Sequence, residues 1–151
     1  MPALEYDDLR DFIELCKKHA EVQEIQGADW NLEIGALTEA AAEMLTDPPM
    51  LLFDTIKGHT TGYRVLSLPI ASYKRAVLAL GLPLDRSRLE NVRLGARKVK
   101  EAQSLPPVEV QDGPVMENVL RGDKVDILRF PTPLFHTLDG GRYIGTGDAV
   151  I

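Results

Sequence analysis

The sequence is poor in cysteine and contains no long apolar run. Its one cysteine, Cys16, excludes an internal disulfide and a cysteine-pair metal site, which fits a reducing cytoplasm. No stretch approaches the run of roughly 18 apolar residues that a membrane helix needs. The acidic stretch near the N-terminus is unlike a signal peptide. We therefore expect a cytoplasmic protein without a membrane span.

An excess of positive charge is also missing. The 151 residues carry a formal net charge of −6, so nucleic-acid binding has no overall electrostatic support. A composition of 44% hydrophobic and 26% charged residues is that of a globular protein. The basic stretch from Arg86 to Lys100 leaves two interpretations open, a phosphate-binding surface or a solvated helix face, and the second is favoured.

Familiar catalytic motifs are absent as well. There is no G-x-S-x-G motif, Walker loop or C-x-x-C pair. The histidines His19, His59 and His136 lack metal-ligand spacing, and we interpret each as a surface or loop residue. Cys16 lies on the apolar stripe of a predicted helix, which favours a core residue over a nucleophile.

Residues 1–104 alternate between helical and strand patterns. We predict helices over residues 7–20, 31–45 and 72–81 and from Ser87 onward, with strands over residues 21–25, 50–54 and 64–70. Ser72 is the expected cap of the third helix, and Ser87 with Glu90 forms a capping box. The apolar run of residues 50–54 is typical of a sheet that is covered on both faces. The predicted buried faces comprise Ile34, Leu37, Ala41 and Met44 on the second helix, and Leu89, Val92, Ala96 and Val99 on the fourth.

The helical pattern stops near Ser104, and residues 105–151 are β-rich. Short strands or extended segments are predicted over residues 106–110, 114–120 and 125–130, separated by glycine and proline. A final strand covers residues 143–151. Its glycines, Gly145 and Gly147, indicate either a close approach by a ligand or tight packing against a neighbouring element.

Five segments, in this order, resemble the UbiD family of decarboxylases over nearly the whole chain. They are "DLRDFIELCKKHAEVQEI", "LEIGALTEAAAE", "PPMLLFDTIKG", "KRAVLALGLP" and "PVMENVLRGDKVDILRFPTPLFHTLDGGRYIGTGDAVI". The chain departs from the family pattern at "LSLPIAS", where an asparagine and a glycine are frequent. It departs again at Ala20, where glycine is frequent. Neither position is catalytic in the family.

The resemblance implies an α/β fold and a prenylated-flavin enzyme. An N-terminal α/β domain with helices packed on a small sheet would cover residues 1–104. A linker and the first strands of a flavin-reductase-like split β-barrel would cover residues 105–151. Such enzymes reversibly decarboxylate aromatic, heteroaromatic or α,β-unsaturated acids. They use prenylated FMN with a divalent metal, usually Mn²⁺, and K⁺. A flavin prenyltransferase supplies the cofactor, and a homodimer or higher homo-oligomer is expected.

The same resemblance assigns one tentative site residue. Thr146 matches the threonine that lies beside the flavin in relatives. The metal ligands and the Glu-Arg-Glu proton network are expected downstream of Ile151, so we interpret the chain as an N-terminal portion that is inactive alone. In that case residues from about 108 onward would be mobile, repacked on the core or paired with another chain.

Two other interpretations remain open. The chain could be a stand-alone α/β interaction module or an accessory subunit without catalysis. A nucleic-acid binder rests only on the basic stretch before Lys100. The stretch of the gene after Ile151 discriminates the enzyme from the module. An N-x-G-x-Y-R-like strand there supports the enzyme, and a stop codon supports the module.

Overall fold

The computed structural model describes residues 4–60 and 62–145. The helices and strands, in chain order, are α1 (Leu9–Lys18), β1 (Val22–Gln26), α2 (Glu33–Met44), β2 (Met50–Asp54), β3 (Val65–Ser67), α3 (Tyr73–Ala79) and α4 (Arg88–Glu101). The mixed α/β class and the order of elements predicted for the first 104 residues are confirmed. No helix in the described residues is both long and apolar enough to cross a membrane.

Local sequence explains where the helices begin. The Asp8 carboxylate accepts a hydrogen bond from the backbone N–H of Asp11 at the start of α1. The Ser72 hydroxyl does the same at the start of α3. Ser87 and Glu90 form the predicted reciprocal capping box at the start of α4.

The sheet has the order β1-β2-β3. β1 runs parallel to β2, with Val22 opposite Met50, and β3 runs antiparallel to β2, with Leu66 opposite Leu52. A parallel pair needs a crossover connection, and α2 provides it. β2 is therefore the central strand.

Side chains of β2 alternate between two apolar clusters. Met50 and Leu52 face one cluster with α1 and α3, whereas Leu51 and Phe53 face a second cluster with α2. The predicted double coverage of this strand is confirmed. The residues of the first cluster are Phe12, Ile13, Leu15, Cys16, Met50, Leu52 and Leu78.

Cys16 is fully buried in this first cluster. Burial raises the pKa of its thiol, which keeps the group protonated and unreactive. Its interpretation as a core residue is confirmed.

The predicted inner face of α2 is only partly correct. Ile34 is fully buried against the sheet, but Leu37 is 38% exposed and Met44 is 81% exposed. α2 thus contacts the sheet mainly through Ile34 and, less completely, through Ala41, whereas Met44 at its end faces water.

A buried guanidinium joins α3 to the ends of all three strands. The Arg75 side chain is fully buried and donates to the carbonyl groups of Pro48, Leu68 and Pro69. It also forms a 2.9 Å ion pair with Glu21. Burial opposes ionisation of Glu21, but hydrogen bonds from Lys74 and Ser72, with the Lys74 and Arg75 charges, hold its pKa below the usual range.

The predicted buried face of α4 is wrong. Leu89, Val92 and Val99 are 60%, 64% and 70% exposed, whereas Asn91 and Gly95 are buried. The Asn91 amide donates to the Tyr73 hydroxyl at 3.1 Å and to the Pro83 carbonyl at 2.9 Å. A small residue and a hydrogen-bonded amide therefore hold α4 to the domain.

The strands predicted over residues 106–110, 114–120 and 125–130 are not found. This part of the chain is extended and exposed, with 3₁₀ turns at Pro114–Met116, Gly122–Lys124 and Ile127–Arg129. β-branched residues favour a strand only where a partner strand completes the hydrogen bonds, and no described residue pairs with them. Of the predicted last strand, residues 143–145 are not in a strand, and residues 146–151 lie outside the described part.

Candidate functional site

The candidate site is built where residues 130–143, here called the docked segment, lie on the α/β domain. This segment leads directly to Thr146, the residue singled out by the sequence, which itself lies outside the described residues. The surface that receives the segment is the loop between β1 and α2. The site is therefore made from parts of the chain that are far apart in sequence.

The β1–α2 loop is preorganised by Asp29. Its carboxylate accepts from the backbone N–H of Asn31 at 2.9 Å and from the Lys57 ammonium at 3.0 Å. These contacts, the first before the second, lower the pKa of Asp29. The backbone N–H of Asp29 in turn donates to the Glu33 carboxylate at 2.7 Å. The loop is thus fixed by contacts that do not involve the docked segment.

The docked segment joins this loop through backbone pairing. The N–H of Leu134 donates to the Trp30 carbonyl, and the N–H of Leu32 donates to the Leu134 carbonyl, both at 3.0 Å. This isolated parallel bridge satisfies backbone groups that a loop would otherwise leave to water.

Gly35 lets α2 touch the segment closely. A Cβ atom built on Gly35 would lie 2.5 Å from the carbonyl oxygen of Phe135 and 2.6 Å from its Cα. These are backbone atoms of the segment and cannot rotate away. Glycine at this position of α2 therefore makes the observed docking possible, at the cost of a weaker helix.

Arg142 closes the far end of the docked segment. Its guanidinium lies 3.9 Å from the centre of the Trp30 ring, close enough for a cation–π contact. Its Nε donates to the Thr132 carbonyl at 2.7 Å, and one terminal nitrogen lies 2.9 Å from His59 Nε2. One side chain thus contacts both the α/β domain and the segment itself.

His59 orients Arg142 through its tautomer. Because Nε2 accepts from the guanidinium, the ring proton lies on Nδ1, which faces the Arg129 carbonyl at 3.2 Å. In this tautomer the ring presents an acceptor to Arg142 and a donor to the Arg129 carbonyl. This is a positioning role for a histidine that the sequence analysis interprets as a surface or loop residue, and His59 does lie in the loop between β2 and β3.

His136 forms a second polar contact between the segment and α2. Its Nε2 lies 2.8 Å from the Glu39 carboxylate, and its Nδ1 lies 3.4 Å from Asp139. The hydrogen bond and charge of Glu39, with a smaller effect from Asp139, raise the pKa of His136. Because the contact is exposed to water, it contributes little to the free energy that holds the segment on the domain, and its main effect is on the position of the segment.

The described residues offer a cleft but no metal site. A cleft of about 670 Å³ follows the docked segment from Phe135 to Tyr143. Gly140 and Gly141 lie on it, and nothing within 4 Å would meet a Cβ at either position. Among residues 4–60 and 62–145, no three His, Cys, Asp or Glu side chains converge as metal ligands.

The cleft also does not form a flavin cradle by itself. Its one guanidinium, that of Arg142, is already bound to Trp30, His59 and Thr132. We therefore assign no metal, phosphate or ring contact to the described residues. What they provide is the anchoring of the chain that enters the site.

The sequence missed most of this anchor. The sequence analysis assigns no role to Trp30, Gly35 or Arg142. Their contacts join residues that are far apart in sequence, and a local periodicity does not reveal such contacts. Two signals were available: Trp30 is the only tryptophan, and Gly35 is an isolated glycine inside a helical pattern. The three predicted histidines do not come together, and the basic stretch lies on α4, away from these contacts.

Two family models match the chain in succession. Residues 13–92 match the N-terminal domain of 3-octaprenyl-4-hydroxybenzoate carboxy-lyase, UbiD, and residues 107–151 match its Rift-related domain. Among curated proteins, the chain is 35% identical over 147 residues to the pyrrole-2-carboxylic acid decarboxylase of Pseudomonas aeruginosa. It is 31% identical over 156 residues to ferulic acid decarboxylase 1 of Saccharomyces cerevisiae. The alignments cover 92% and 96% of this chain but only 29% and 30% of those proteins.

Solved structures give the same relation. The vanillic acid decarboxylase of Sedimentibacter hydroxybenzoicus, ShVdcCD, matches in its open form with a TM-score of 0.76 and 28% identity. The match covers 92% of this chain and 30% of that one. HmfF, a UbiD-class enzyme from Pelotomaculum thermopropionicum solved with FMN, matches with a TM-score of 0.66 at 24% identity, which shows a shared fold. This chain therefore spans about 30% of the length of these proteins.

Proposed function

Because this chain belongs to the UbiD family of carboxy-lyases, we propose that it forms the N-terminal part of a reversible decarboxylase. Its substrates would be aromatic, heteroaromatic or α,β-unsaturated carboxylic acids. The names of the two curated relatives, which act on a pyrrole carboxylate and on ferulic acid, support this class. The activity itself would require residues beyond those of this chain.

We further propose that the two parts of the chain have different roles. Residues 1–104 would form the α/β domain, and residues 105–151 would lead into the flavin-binding barrel. The single observation that carries the proposal is the Arg142 anchor. It fixes the chain on Trp30 and His59 four residues before Thr146. The described residues would thereby hold the entrance of the cofactor domain against the α/β domain.

The cofactor proposal goes beyond FMN. Prenylated FMN, Mn²⁺ and K⁺ would bind mostly to residues after Ile151, with Thr146 beside the flavin. When bound, the prenylated flavin supplies the electron sink for cleavage of the carbon–carbon bond. A flavin prenyltransferase would supply it in the cytoplasm, and the complete enzyme would be a homodimer or higher homo-oligomer.

The test compares two polypeptides made in cells that also produce a flavin prenyltransferase. One is the chain of 151 residues, and the other is the product of the complete reading frame. Each is assayed for bound flavin and for CO₂ release from pyrrole-2-carboxylate, ferulate and vanillate. We expect flavin binding and turnover of at least one acid by the longer product alone.

Two results would contradict the proposal. Turnover by the chain of 151 residues would show that the catalytic groups lie within it. A longer product that is folded but retains no flavin would favour the non-catalytic module.

A further inference from the structure

Leu32 has a backbone conformation that is unusual for leucine. It directly precedes α2 with φ +69° and ψ −32°. A left-handed residue other than glycine has ψ of about +30 to +60°, so Leu32 lies outside even that region. The geometry is costly for a residue with a Cβ atom but not for glycine. The Leu32 side chain makes no capping hydrogen bond to α2, so helix capping does not explain the conformation.

Four residues other than glycine have positive φ in the described part of the chain: Ala20, Leu32, Thr55 and Leu68. Three of them are held within the α/β domain. Ala20 ends α1 in a hydrogen-bonded turn. The Thr55 hydroxyl donates to a side chain of β1 at 2.7 Å, and the Leu68 carbonyl accepts from the buried Arg75 at 3.1 Å. Leu32 differs, because the contact on its N–H comes from the docked segment.

The docked segment holds the peptide group that sets φ of Leu32. The N–H of Leu32 donates to the Leu134 carbonyl at 3.0 Å, its one acceptor among the described residues. The N–H of Leu134 donates to the Trp30 carbonyl at the same distance. The segment therefore contacts the backbone on both sides of Asn31.

The other contacts of the loop leave this peptide group free to turn. The Asp29 carboxylate holds the N–H of Asn31, and the Asp29 carbonyl accepts from the N–H of Ile34 at 3.2 Å. Rotation of the peptide between Asn31 and Leu32 changes only the ψ of the first residue and the φ of the second. It breaks neither contact of Asp29.

We propose that the peptide between Asn31 and Leu32 is a two-state switch that the docked segment operates. With the segment bound, Leu134 holds the peptide in the orientation that keeps φ of Leu32 positive. When the segment leaves, the peptide flips, φ becomes negative and the N–H turns to water. The strain at Leu32 thus opposes docking, and the loop conformation and docking are coupled in both directions. This coupling keeps the docking of the chain that leads to Thr146 reversible.

The strain is tested with Leu32→Gly and its matched control, Leu32→Ala. Both variants remove the side chain beyond Cβ, but only glycine removes the Cβ atom that penalises positive φ. Hydrogen-exchange protection factors at residues 132–143 should be about fivefold higher in Leu32→Gly than in Leu32→Ala, because the relieved strain exceeds the extra freedom that glycine gives the undocked loop. Far-UV circular dichroism checks that the helices remain folded in both variants.

The conformation of Leu32 is read from the NOE between its N–H and Hα protons, which is strong at positive φ and weak at negative φ. We expect a strong NOE in the wild type. It should weaken in the double variant Gly35→Ala, Arg142→Met, which places a Cβ 2.5 Å from the Phe135 carbonyl oxygen and removes the cation–π contact. The exposed control Arg121→Met should keep the strong NOE.

Two results would overturn the proposal. Equal protection in the glycine and alanine variants would show that docking does not depend on the strain at Leu32. A strong NOE in the double variant, with fast exchange at residues 132–143, would show that the loop keeps its conformation after the segment has left. If the segment stays docked in the double variant, the comparison of glycine with alanine decides alone.

Discussion

Replacing Arg75 with methionine should destabilise the α/β domain more than any exposed substitution. The guanidinium is fully buried and bonds to Pro48, Leu68 and Pro69 carbonyls as well as to Glu21. Methionine fills much of the same space but donates to none of them. The change therefore leaves three strand-end carbonyls without this donor.

The magnitude follows from these contacts. Removing one partner of a buried ion pair costs about 3–5 kcal/mol. The Pro48 carbonyl, whose hydrogen bond to Arg75 is the buried one of the three, adds about 1–3 kcal/mol when it is left without a donor. Burial of the methionine side chain returns about 1.5–3 kcal/mol. Lys74 and Ser72 still contact Glu21, which limits the loss there. We expect a net loss of about 3–5 kcal/mol in the free energy of unfolding.

Urea unfolding followed by far-UV circular dichroism measures this loss. Arg75→Lys should fall between the wild type and Arg75→Met, because an ammonium keeps the charge but lacks the planar fork that reaches several acceptors. Arg97→Met, an exposed arginine to methionine change on α4, is the matched control and should change stability by less than about 0.5 kcal/mol. If Arg75→Met lies within about 1 kcal/mol of this control, the buried network does not stabilise the domain as argued.

Three further predictions concern the docked segment, and hydrogen exchange at residues 132–143 measures each of them. Gly35→Ala should speed this exchange although alanine favours helix α2, because its Cβ would lie 2.5 Å from a backbone oxygen of the segment; unchanged exchange would show that the close contact is not needed. Arg142→Met should speed it about tenfold and shift the Trp30 fluorescence, whereas the exposed control Arg121→Met should do neither. The pKa of His136 is raised above its ordinary 6.5 on folding, so its contact with Glu39 is fully present below that value and is lost as pH rises through the folded pKa. Protection factors near His136, which correct for the intrinsic rise of amide exchange with pH, should therefore be lower at about pH 8 than at about pH 6, and Glu39→Gln should remove most of this difference.

Local patterns predicted the elements of the α/β domain well. Capping by Ser72 and the Ser87–Glu90 box depend on neighbours within one turn, so the sequence contains all the information needed. The unbroken apolar run of β2 likewise has one simple explanation, a strand covered on both faces. The family resemblance added the carboxy-lyase assignment, which no local pattern contained.

The errors share a physical cause. The apolar stripe of Leu89 and Val92 predicts a buried helix face, but both residues are more than half exposed, because the pattern does not specify a neighbour that would cover them. The residues that do hold α4, Asn91 and Gly95, look unremarkable in sequence because their role depends on Tyr73 and Pro83. The prediction of strands within residues 106–130 was wrong for a related reason. A strand needs a partner strand, and the local sequence does not show whether one is present.

The contact between Glu39 and His136 joins residues that are 97 positions apart. A ribosome adds roughly 5–20 residues per second, so His136, which lies 35 positions after the end of α4 at Glu101, is made roughly 2–7 s after the last residue of the α/β domain. A domain as small as residues 4–101 has ample time to fold in that interval. The docked segment therefore meets a finished surface during synthesis, with Trp30 left open to other partners until Arg142 arrives. For those seconds the nascent chain exposes the surface around Trp30 to any chaperone near the ribosome.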